Sequence, residues 1–365
     1  MTAYLAWLPA ALQGVAMPRA LPDTLRISWP AGASAPPAET DAALDRAAGL
    51  LREGGLVAIP TETVYGLAAN ALDEEAVDGI FRAKRRPAGN PLIVHVADAA
   101  MARSLAGSWP EAAERIAARL WPGPVTVVVP KGPRVPGIVT AGGETVALRC
   151  PDHPLARRLI ERAGVPLAAP SANRSEHISP TTAHHVLEGL GDKVDLILDA
   201  GPCGRGIEST VIDCTVTPPR ILRPGPLARE ELEAAVGGPV AWSEDALPAG
   251  DPPVARSPGT GRRHYAPRTS LELSADSTAR VAELLADGKR VGWLAFASSV
   301  GADLAGHREL VAVPMPADPA GYARLLYATL HALDQRQLDR INVDMPPAEE
   351  AWRAVRDRLT RAAAG

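Results

Sequence analysis

Apolar residues follow two periods along this chain, one typical of buried strands and one typical of amphipathic helices. Short runs rich in valine and isoleucine predict strands at 56–59, 92–96, 125–129, 145–149, 196–199 and 210–214. We expect helices in the intervals between the first five of them. Thr40 or Asp41 is expected to cap the first helix, and Gly54-Gly55 to end it. This alternation predicts an α/β unit over about residues 36–235.

A run of Gly, Pro, Ala and Ser without sustained periodicity follows and predicts a linker over residues 236–267. Beyond it the pattern predicts strands at 291–296 and 341–343, a helix containing 322–333 and a last helix from about Pro347. These elements predict a smaller α/β unit over 268–365. Residues 1–35 are expected to form an N-terminal extension, with Met17 as an alternative start.

The composition indicates a globular protein and excludes several other classes. Of 365 residues, 46% are hydrophobic and 22% are charged, as in ordinary globular proteins. The formal net charge of −4 excludes the strongly basic surface of a dedicated nucleic-acid binder. The 3 cysteines form no CxxC pair, which argues against a disulfide or zinc framework. No apolar run reaches about 18 residues, so we expect a cytoplasmic protein without a membrane span.

The strand at 56–59 leads into a polar turn that contains Thr61, Glu62, Thr63 and Tyr65. Ligands of open α/β sheets bind beyond the carboxyl ends of strands, which favours a binding site at this turn. The alternative interpretation is structural: the threonines cap the loop and Tyr65 packs in the core. The residues alone leave both interpretations open.

A cationic segment ends the next predicted helix. Asp73 is expected to cap this helix, and Lys84 follows Val77 by seven residues, which places both on the inward face. Four cations occupy residues 82–86, and the turn through Asn90 returns the chain to the next strand. This layout suits a polyphosphate ligand. The alternative is a solvated helix end, where cations are also favourable.

Three further polar segments follow. Residues 171–175 form a turn after a predicted strand at 167–169. Ser179 is expected to cap a helix with Pro180 at its first position, and such a helix N-terminus can also bind phosphate. A glycine-rich loop at 201–206 permits close backbone approach to a ligand.

Several common motifs are missing from the sequence: it has no GxxxxGK[ST] loop, no Rossmann GxGxxG, no HExxH and no GxSxG. His184 and His185 are adjacent on a predicted helix and point in different directions, which argues against a metal pair. We therefore expect no protein-held metal, and Mg²⁺ to arrive with substrate phosphates.

Six segments, in one order, carry a resemblance to a known family. They are TETVYGL (61–67), KRRPAGNPLIVHV (84–96), APSANRS (169–175), SPTTA (179–183), GIESTV (206–211) and ILRPG (221–225). Together they resemble the YrdC-like threonylcarbamoyl-AMP synthases. SPGTGRRHYAP (257–267) and the second unit look like the long form of that family. The resemblance implies a YrdC-like twisted open mixed sheet with flanking helices, plus a smaller C-terminal Rossmann-like α/β domain.

The resemblance implies a nucleotidyltransferase that makes threonylcarbamoyl-AMP and pyrophosphate from L-threonine, bicarbonate and ATP, for the threonylcarbamoyladenosine modification of tRNA. The residues implied for L-threonine are Thr63, Tyr65, His95, Arg149, the backbone of Ala169, and Ser209. Those implied for ATP are Arg86, Asn90, Thr145, Ser171, Ser179, Arg223 and Tyr265. Lys84 and Arg86 are the implied catalytic residues. No enzyme nucleophile is required, and transient contact with tRNA or a downstream transfer complex stays open.

The chain departs from the family at residues 260–262, where Thr-Gly-Arg stands in place of the common Met-Lys-Tyr.

Two other interpretations of the function compete with this one. Carbamoyltransferases also contain YrdC-like units, but those of hydrogenase maturation carry cysteine-rich zinc modules, and this chain has no CxxC. An RNA-binding module without activity is suggested by the cations at 82–86. His95 on its own is more often a core histidine than a ligand.

Overall fold

The computed structural model describes residues 24–26, 38–243, 264–296, 304 and 306–364. Its helices are α1 (Ala38–Arg52), α2 (Glu74–Lys84), α3 (Ala99–Arg103), α4 (Glu111–Leu120), α5 (Pro154–Ala163), α6 (Ala183–Leu190), α7 (Arg229–Val236), α8 (Ser277–Ala286), α9 (Pro319–Asp334) and α10 (Arg353–Ala363). Its strands are β1 (Thr24–Arg26), β2 (Val57–Ile59), β3 (Gly66–Asn70), β4 (Ile93–His95), β5 (Val125–Pro130), β6 (Thr145–Arg149), β7 (Leu167–Ala168), β8 (Leu196–Asp199), β9 (Thr210–Asp213), β10 (Arg220–Arg223), β11 (Ala241–Trp242), β12 (Leu271–Ser274), β13 (Val291–Phe296), β14 (Leu310–Met315) and β15 (Arg340–Asp344).

The first sheet is large and mixed. Its strand order is β1-β8-β2-β3-β7-β4-β6-β5-β9-β10-β11. Strands β4 and β6 are parallel, with His95 opposite Arg149, so these two side chains end neighbouring strands at the same edge. Strands β5 and β9 are also parallel, whereas β5 and β6 are antiparallel. The carboxyl ends of β4 and β6 therefore lie in the same region of the sheet as the start of β9.

The second sheet has the order β12-β15-β13-β14, and all its pairs are parallel. Helices α8 to α10 lie between or after these strands in the chain. The large mixed sheet with flanking helices and the smaller parallel α/β domain confirm the predicted fold class. Within the described part of the chain, no helix has the length and apolar character needed to cross a membrane.

The two domains share an apolar interface. Val64, Ile178 and Ile207 of the first domain belong to the same buried cluster as the core of the second. Gly206 packs directly on α9: a Cβ there would lie 2.5 Å from the carbonyl oxygen of Ala323, and its φ is +76°. Glycine is required at this position because a side chain would collide with the backbone of the other domain.

Helix α2 follows the sequence prediction. Asp73 caps it by accepting hydrogen bonds from the backbone N–H groups of Glu75 and Ala76 at 3.0 and 3.2 Å. The helix ends at Arg85, which adopts a left-handed φ of 52°. Lys84 is 1% exposed, so the helical spacing correctly placed it on the inward face.

Other local predictions were wrong. Helix α1 begins at Ala38, before Thr40 and Asp41. Only a 3₁₀ turn, Gly137–Thr140, separates β5 from β6, because these strands are antiparallel and need no helical crossover. Helix α6 begins at Ala183 with Thr182 as its cap, so Ser179 is not a cap.

The sequence pattern also missed strands. In the large sheet it did not predict the edge strands β1 and β11 or the inner strands β3 and β10, and in the second sheet it did not predict the edge strands β12 and β14. Strand β1 lies inside the predicted N-terminal extension and pairs with β8. Strand β11 lies inside the predicted linker and pairs with β10 of the first domain. The remaining predictions for 1–23 and for linker residues 244–263, including the departure at 260–262, lie outside the described residues.

Candidate active site

One cavity lies where the loops after β2, β7 and α2 meet the ends of β4, β6 and β10. Its empty volume, including its open mouth, is about 510 Å³. The sequence-predicted residues that line it are Thr63, Arg86, His95, Arg149, Ala169, Ser171, Ser209, Arg223 and Tyr265. Three guanidinium groups therefore surround one space, and they favour an anionic ligand.

Arg149 occupies one end of this cavity. Its Nη1 donates to the hydroxyl of Thr63 at 2.9 Å, and its Nη2 donates to Oε1 of Glu62 at 2.6 Å. Its Nε and the Oε2 atom of Glu62 are buried without a hydrogen-bond partner among the described residues. Buried polar atoms are rarely left unpaired, so this end is built to receive further polar groups.

His95 lies beside Arg149 and is 3% exposed. Burial, reinforced by the positive charge of Arg149, lowers the pKa of His95 to about 3. Its Nδ1 has no hydrogen-bond partner within the described structure. The ring is therefore neutral at physiological pH and can donate or accept one hydrogen bond to a ligand without adding charge.

The turn after β2 has both of the roles that the sequence left open: it lines the binding cavity and its side chains stabilise the loop. Thr61 is a structural residue as well as a lining residue, because its hydroxyl donates to the carbonyl oxygen of Val64 at 2.6 Å. Its hydroxyl also lies 2.8 Å from that of Thr63, which in turn contacts Arg149. Tyr65 is fully buried, and its hydroxyl donates to the carbonyl oxygen of Gly201 at 2.7 Å. Tyr65 thus supports the glycine-rich loop and does not line the cavity.

Arg86 and Arg223 form a second cationic part of the cavity wall, which we call the nucleotide end. Arg86 donates from Nε to the carbonyl oxygen of Asn90 at 3.0 Å and from Nη2 to that of Pro91 at 2.7 Å, which fixes its guanidinium plane. Burial lowers the pKa of Arg86 to about 10, so it stays charged at neutral pH. Arg223 donates from Nη2 to the carbonyl oxygen and hydroxyl of Ser209 at 2.9 and 3.2 Å.

Lys84 lies just behind this lining. Its Nζ donates to the carbonyl oxygen of Ser171 at 2.5 Å and to that of Asn173. Burial, and next the charge of Arg86, hold the pKa of Lys84 well below its usual range. The ammonium group therefore joins the end of α2 to the loop that carries Ser171.

The remaining predicted residues are not on the cavity wall. Asn90 contributes its backbone carbonyl to Arg86. Thr145 begins β6, at the opposite end of the strand from Arg149. Ser179 is buried, and its hydroxyl donates to Oε1 of Glu208 at 2.5 Å.

Sequence reasoning did not assign Glu208 or His264 to the site, and both line the cavity. The signal was present for each, since Glu208 lies within GIESTV and His264 precedes Tyr265 in RRHYAP. Neither segment shows by its spacing which side chain faces the ligand. Tyr265 has a left-handed φ of 61° and a buried hydroxyl without a partner in the described residues.

The neutral state of His95 predicts a pH-dependent stability. Its pKa is about 3 in the folded protein, against about 6.5 when unfolded, so its contribution is present above pH 6.5 and is lost as the pH falls below that value. We expect the unfolding free energy of the wild type to fall by about 2 kcal/mol more than that of His95→Asn between pH 7 and 5. Urea unfolding at both pH values measures this difference.

The exposed His307 supplies the control, because His307→Asn should track the wild type at both pH values. A parallel decline of the wild type and His95→Asn would show that His95 is not held neutral by burial.

The chain therefore has an α/β fold whose cavity, lined by three guanidinium groups, is typical of a site for an anionic ligand. A family model described as telomere recombination matches residues 49–225. A second, described as the C-terminal domain of threonylcarbamoyl-AMP synthase, matches residues 227–364.

Relatives cover nearly the whole chain. The threonylcarbamoyl-AMP synthase of Bacillus subtilis (strain 168) is 41% identical over 330 residues, which are 89% of this chain and 94% of that protein. The one from Pyrococcus abyssi (strain GE5 / Orsay) is 49% identical over 258 residues, 67% of this chain and 74% of that protein. A crystal structure of P. abyssi Sua5 with L-threonine matches with a TM-score of 0.80 and 40% identity, covering 93% of this chain and 97% of that one. The chain belongs to the threonylcarbamoyl-AMP synthase family.

Proposed function

We propose that this protein makes threonylcarbamoyl-AMP and pyrophosphate from L-threonine, bicarbonate and ATP. One observation carries the assignment to this cavity. Arg149, with the unpartnered atoms around it, lines the same cavity as Arg86 and Arg223. Binding of an amino acid beside a nucleotide at this cavity would convert their reaction into a step within one complex.

At the first end, Arg149 would bind the carboxylate of L-threonine. Its guanidinium is held by Thr63 and Glu62, so it is already oriented when the substrate arrives. Neutral His95 would pair with a polar group of the substrate, and the backbone of Ala169 would accept a hydrogen bond from its nitrogen. Ser209 would also contact L-threonine; its hydroxyl lies 2.8 Å from that of Thr126 and accepts a hydrogen bond from Arg223, which links the two parts of the cavity.

At the second end, Arg86 and Arg223 would bind phosphate oxygens of ATP, with the hydroxyls of Ser171 and Tyr265 at the cavity wall. Lys84 fixes the loop of Ser171 through the hydrogen bond from its Nζ to the carbonyl oxygen of that residue. In the reaction, the amine of L-threonine and bicarbonate would form a carbamate with loss of water. An oxygen of this carbamate then forms a bond to the α-phosphorus, and the bond from that phosphorus to the pyrophosphate oxygen breaks. The cations stabilise the negative charge that develops on the departing pyrophosphate.

The reaction needs no covalent intermediate on the protein, and the cysteines fit that scheme. Burial raises the pKa of the Cys150 thiol to about 11 and also raises that of Cys203. Neither thiol is ionised at neutral pH, and neither lines the cavity. Thiolates are the nucleophilic form of cysteine, so these residues are inert.

We propose that Mg²⁺ enters with ATP. The described residues contain no group of three or more His, Cys, Asp or Glu side chains that could hold a metal ion. Phosphate oxygens would therefore supply most of its ligands, as is common for Mg²⁺. Bound in this way, the ion would neutralise phosphate charge. A product that serves tRNA modification would place the protein in the cytoplasm and bring transient contact with tRNA or a transfer complex.

The test is a substrate panel. Purified protein is incubated with ATP, Mg²⁺ and bicarbonate, and with each amino acid in turn, while pyrophosphate is measured. We expect release to depend on L-threonine and on bicarbonate. Release without any amino acid, or none with L-threonine, would refute the assignment. Salt-sensitive RNA binding by an inactive protein would favour the RNA-binding interpretation instead.

Tyr265→Phe tests the nucleotide end. The change removes only the buried, unpartnered hydroxyl at the cavity wall. A hydrogen bond to a charged group contributes about 1.5–3 kcal/mol, so we expect the KM for ATP to rise about 10-fold or more. Steady-state kinetics with saturating L-threonine measure this change.

Tyr322→Phe is a matched control, because Tyr322 also has a buried hydroxyl without a partner in the described residues but lies in the second domain. Its KM for ATP should stay that of the wild type. Equal effects of the two substitutions would exclude a direct role for Tyr265.

A further inference from the structure

We propose that Arg358 and Tyr327 of the C-terminal domain are positioning residues for the reaction, because they hold Glu208 and Tyr265 in place in the cavity wall. The inference rests on the proposed function. It means that the C-terminal domain supplies part of the framework of the active site.

Glu208 is the junction between the domains. Its Oε1 accepts a hydrogen bond from the Ser179 hydroxyl at 2.5 Å. Its Oε2 accepts one from Nε of Arg358 at 2.9 Å and one from the Tyr327 hydroxyl at 3.1 Å. Ser179 belongs to the first domain, whereas Arg358 lies on α10 and Tyr327 on α9. One carboxylate of the cavity wall is therefore fixed from both domains.

The same two residues also pack on Tyr265. The guanidinium carbon of Arg358 lies 5.1 Å from the centre of the Tyr265 ring. The Tyr327 ring stacks on it with centroids 5.7 Å apart and an angle of 29° between planes. Tyr265 has a left-handed φ of 61°, which a residue with a large side chain adopts only when its surroundings hold it there. The backbone hydrogen bonds of His264 to Arg361 and of Ala266 to Glu176 hold this segment, and Arg358 and Tyr327 hold the ring itself.

A purely structural interface would not require this charge. Apolar contacts from Val64, Ile178 and Ile207 already join the domains. Arg358 has no exposed surface, and burying a guanidinium is unfavourable unless it is paired. Its Nη1 contacts Asp357 at 2.7 Å, and its Nε points to the carboxylate that lines the cavity. The guanidinium charge of Arg358 therefore lies next to the Glu208 carboxylate in the cavity wall.

The charges around Glu208 give the contact a chemical consequence. Burial alone raises the pKa of Glu208, but the guanidiniums of Arg358 and Arg223 and the hydrogen bond from Ser179 outweigh it, so the net shift is downward. The other titratable groups that face this carboxylate are Lys84, His264, Tyr265 and Tyr327. Removing Arg358 leaves burial less opposed, so Glu208 takes up a proton at higher pH.

The test is Arg358→Met in the full-length protein. We expect kcat for threonine-dependent pyrophosphate release to fall at least 10-fold, and the acid limb of the pH profile to move to higher pH. Arg358→Lys should restore part of the activity and move the limb back. Tyr327→Phe should give a smaller loss, because it removes only one donor to Glu208.

Arg356→Met is the matched control. Arg356 lies on the same helix, two residues away, and its guanidinium bonds to the carbonyl oxygen of Pro346 within the C-terminal domain. This variant makes the same change in charge without touching Glu208, so its activity and pH profile should be those of the wild type. An equal loss in both variants would show that only the stability of the domain matters.

Two measurements complete the test. Arg358→Met should cost less activity in a Glu208→Gln background than in the wild type, because only the support of Tyr265 is then left for Arg358 to supply. Carboxyl-carbon NMR of glutamate-labelled protein, with the Glu208 signal assigned from Glu208→Gln, follows its titration without any assay of turnover. A higher midpoint in Arg358→Met supports the proposal, and an unchanged midpoint overturns it even if the enzyme proves to use another substrate. Should Arg358→Met fail to fold, Arg358→Lys and Tyr327→Phe carry the same comparisons.

Discussion

Arg149→Lys should lower kcat/KM for L-threonine by about 100- to 1,000-fold, equivalent to about 3–4 kcal/mol. Lysine keeps the charge but loses the planar fork that contacts both Thr63 and Glu62. It also cannot reproduce the unpartnered Nε that faces the end of the cavity next to His95. Steady-state kinetics with L-threonine as the varied substrate give this ratio.

The loss should appear for L-threonine and not for ATP binding, because the proposed function assigns Arg149 to the amino acid and Arg86 and Arg223 to the nucleotide. Arg158→Lys serves as the control: Arg158 is on the surface, with 47% of its side chain exposed, and pairs with Glu161. Wild-type kinetics for Arg149→Lys, or an equal rise in KM for both substrates, would contradict the assignment of this end to threonine.

Lys84→Ala and Arg86→Ala should each lower kcat for pyrophosphate release about 100- to 1,000-fold. Arg86→Ala removes a buried positive charge from the cavity wall, and single groups that stabilise developing negative charge contribute about 10²–10³ in kcat. Lys84→Ala frees the carbonyl oxygens of Ser171 and Asn173, which loosens the loop at the nucleotide end. Single-turnover pyrophosphate release measures both variants.

Folding is checked separately, since unpairing buried carbonyl groups costs about 1–3 kcal/mol of stability. We expect both variants to keep a cooperative unfolding transition. Arg82→Ala is the control, because its side chain is 68% exposed and forms only a surface pair with Asp78. Normal turnover in Lys84→Ala and Arg86→Ala would refute the phosphate end, whatever their stability.

Local spacing predicted much of the catalytic side of the molecule. The seven-residue step from Val77 to Lys84 correctly placed the lysine inward, because helical geometry depends only on neighbouring residues. Arg149 was predicted to end one strand and His95 to lie within another, and the parallel pairing of β4 and β6 brings them together. The strand-end rule pointed to the turn after β2, and Thr61 and Thr63 of that turn line the same cavity as Arg149 and His95.

Predictions from local spacing were wrong where contacts between residues distant in the sequence determine the structure. Ser179 followed the pattern of a helix cap, yet its hydroxyl bonds to Glu208 and Thr182 caps the helix. The contact of Glu208 with Arg358 spans 150 positions in the chain, so no window of sequence shows it. Strand β3 was missed because GLAAN has few residues with strong strand preference, and pairing with β2 and β7 decides its conformation.

In the proposed reaction, one cavity binds both the amino acid and the nucleotide, and the bicarbonate carbon links them in the product. The most direct test of this reaction is mass spectrometry of the product formed from L-threonine, ATP, Mg²⁺ and bicarbonate labelled with heavy carbon. We expect an adenylate of threonine that carries the label as a carbamoyl carbon, together with pyrophosphate, and no such product from Arg149→Lys. An unlabelled threonyl adenylate, or an adenylate formed equally by that variant, would contradict the account.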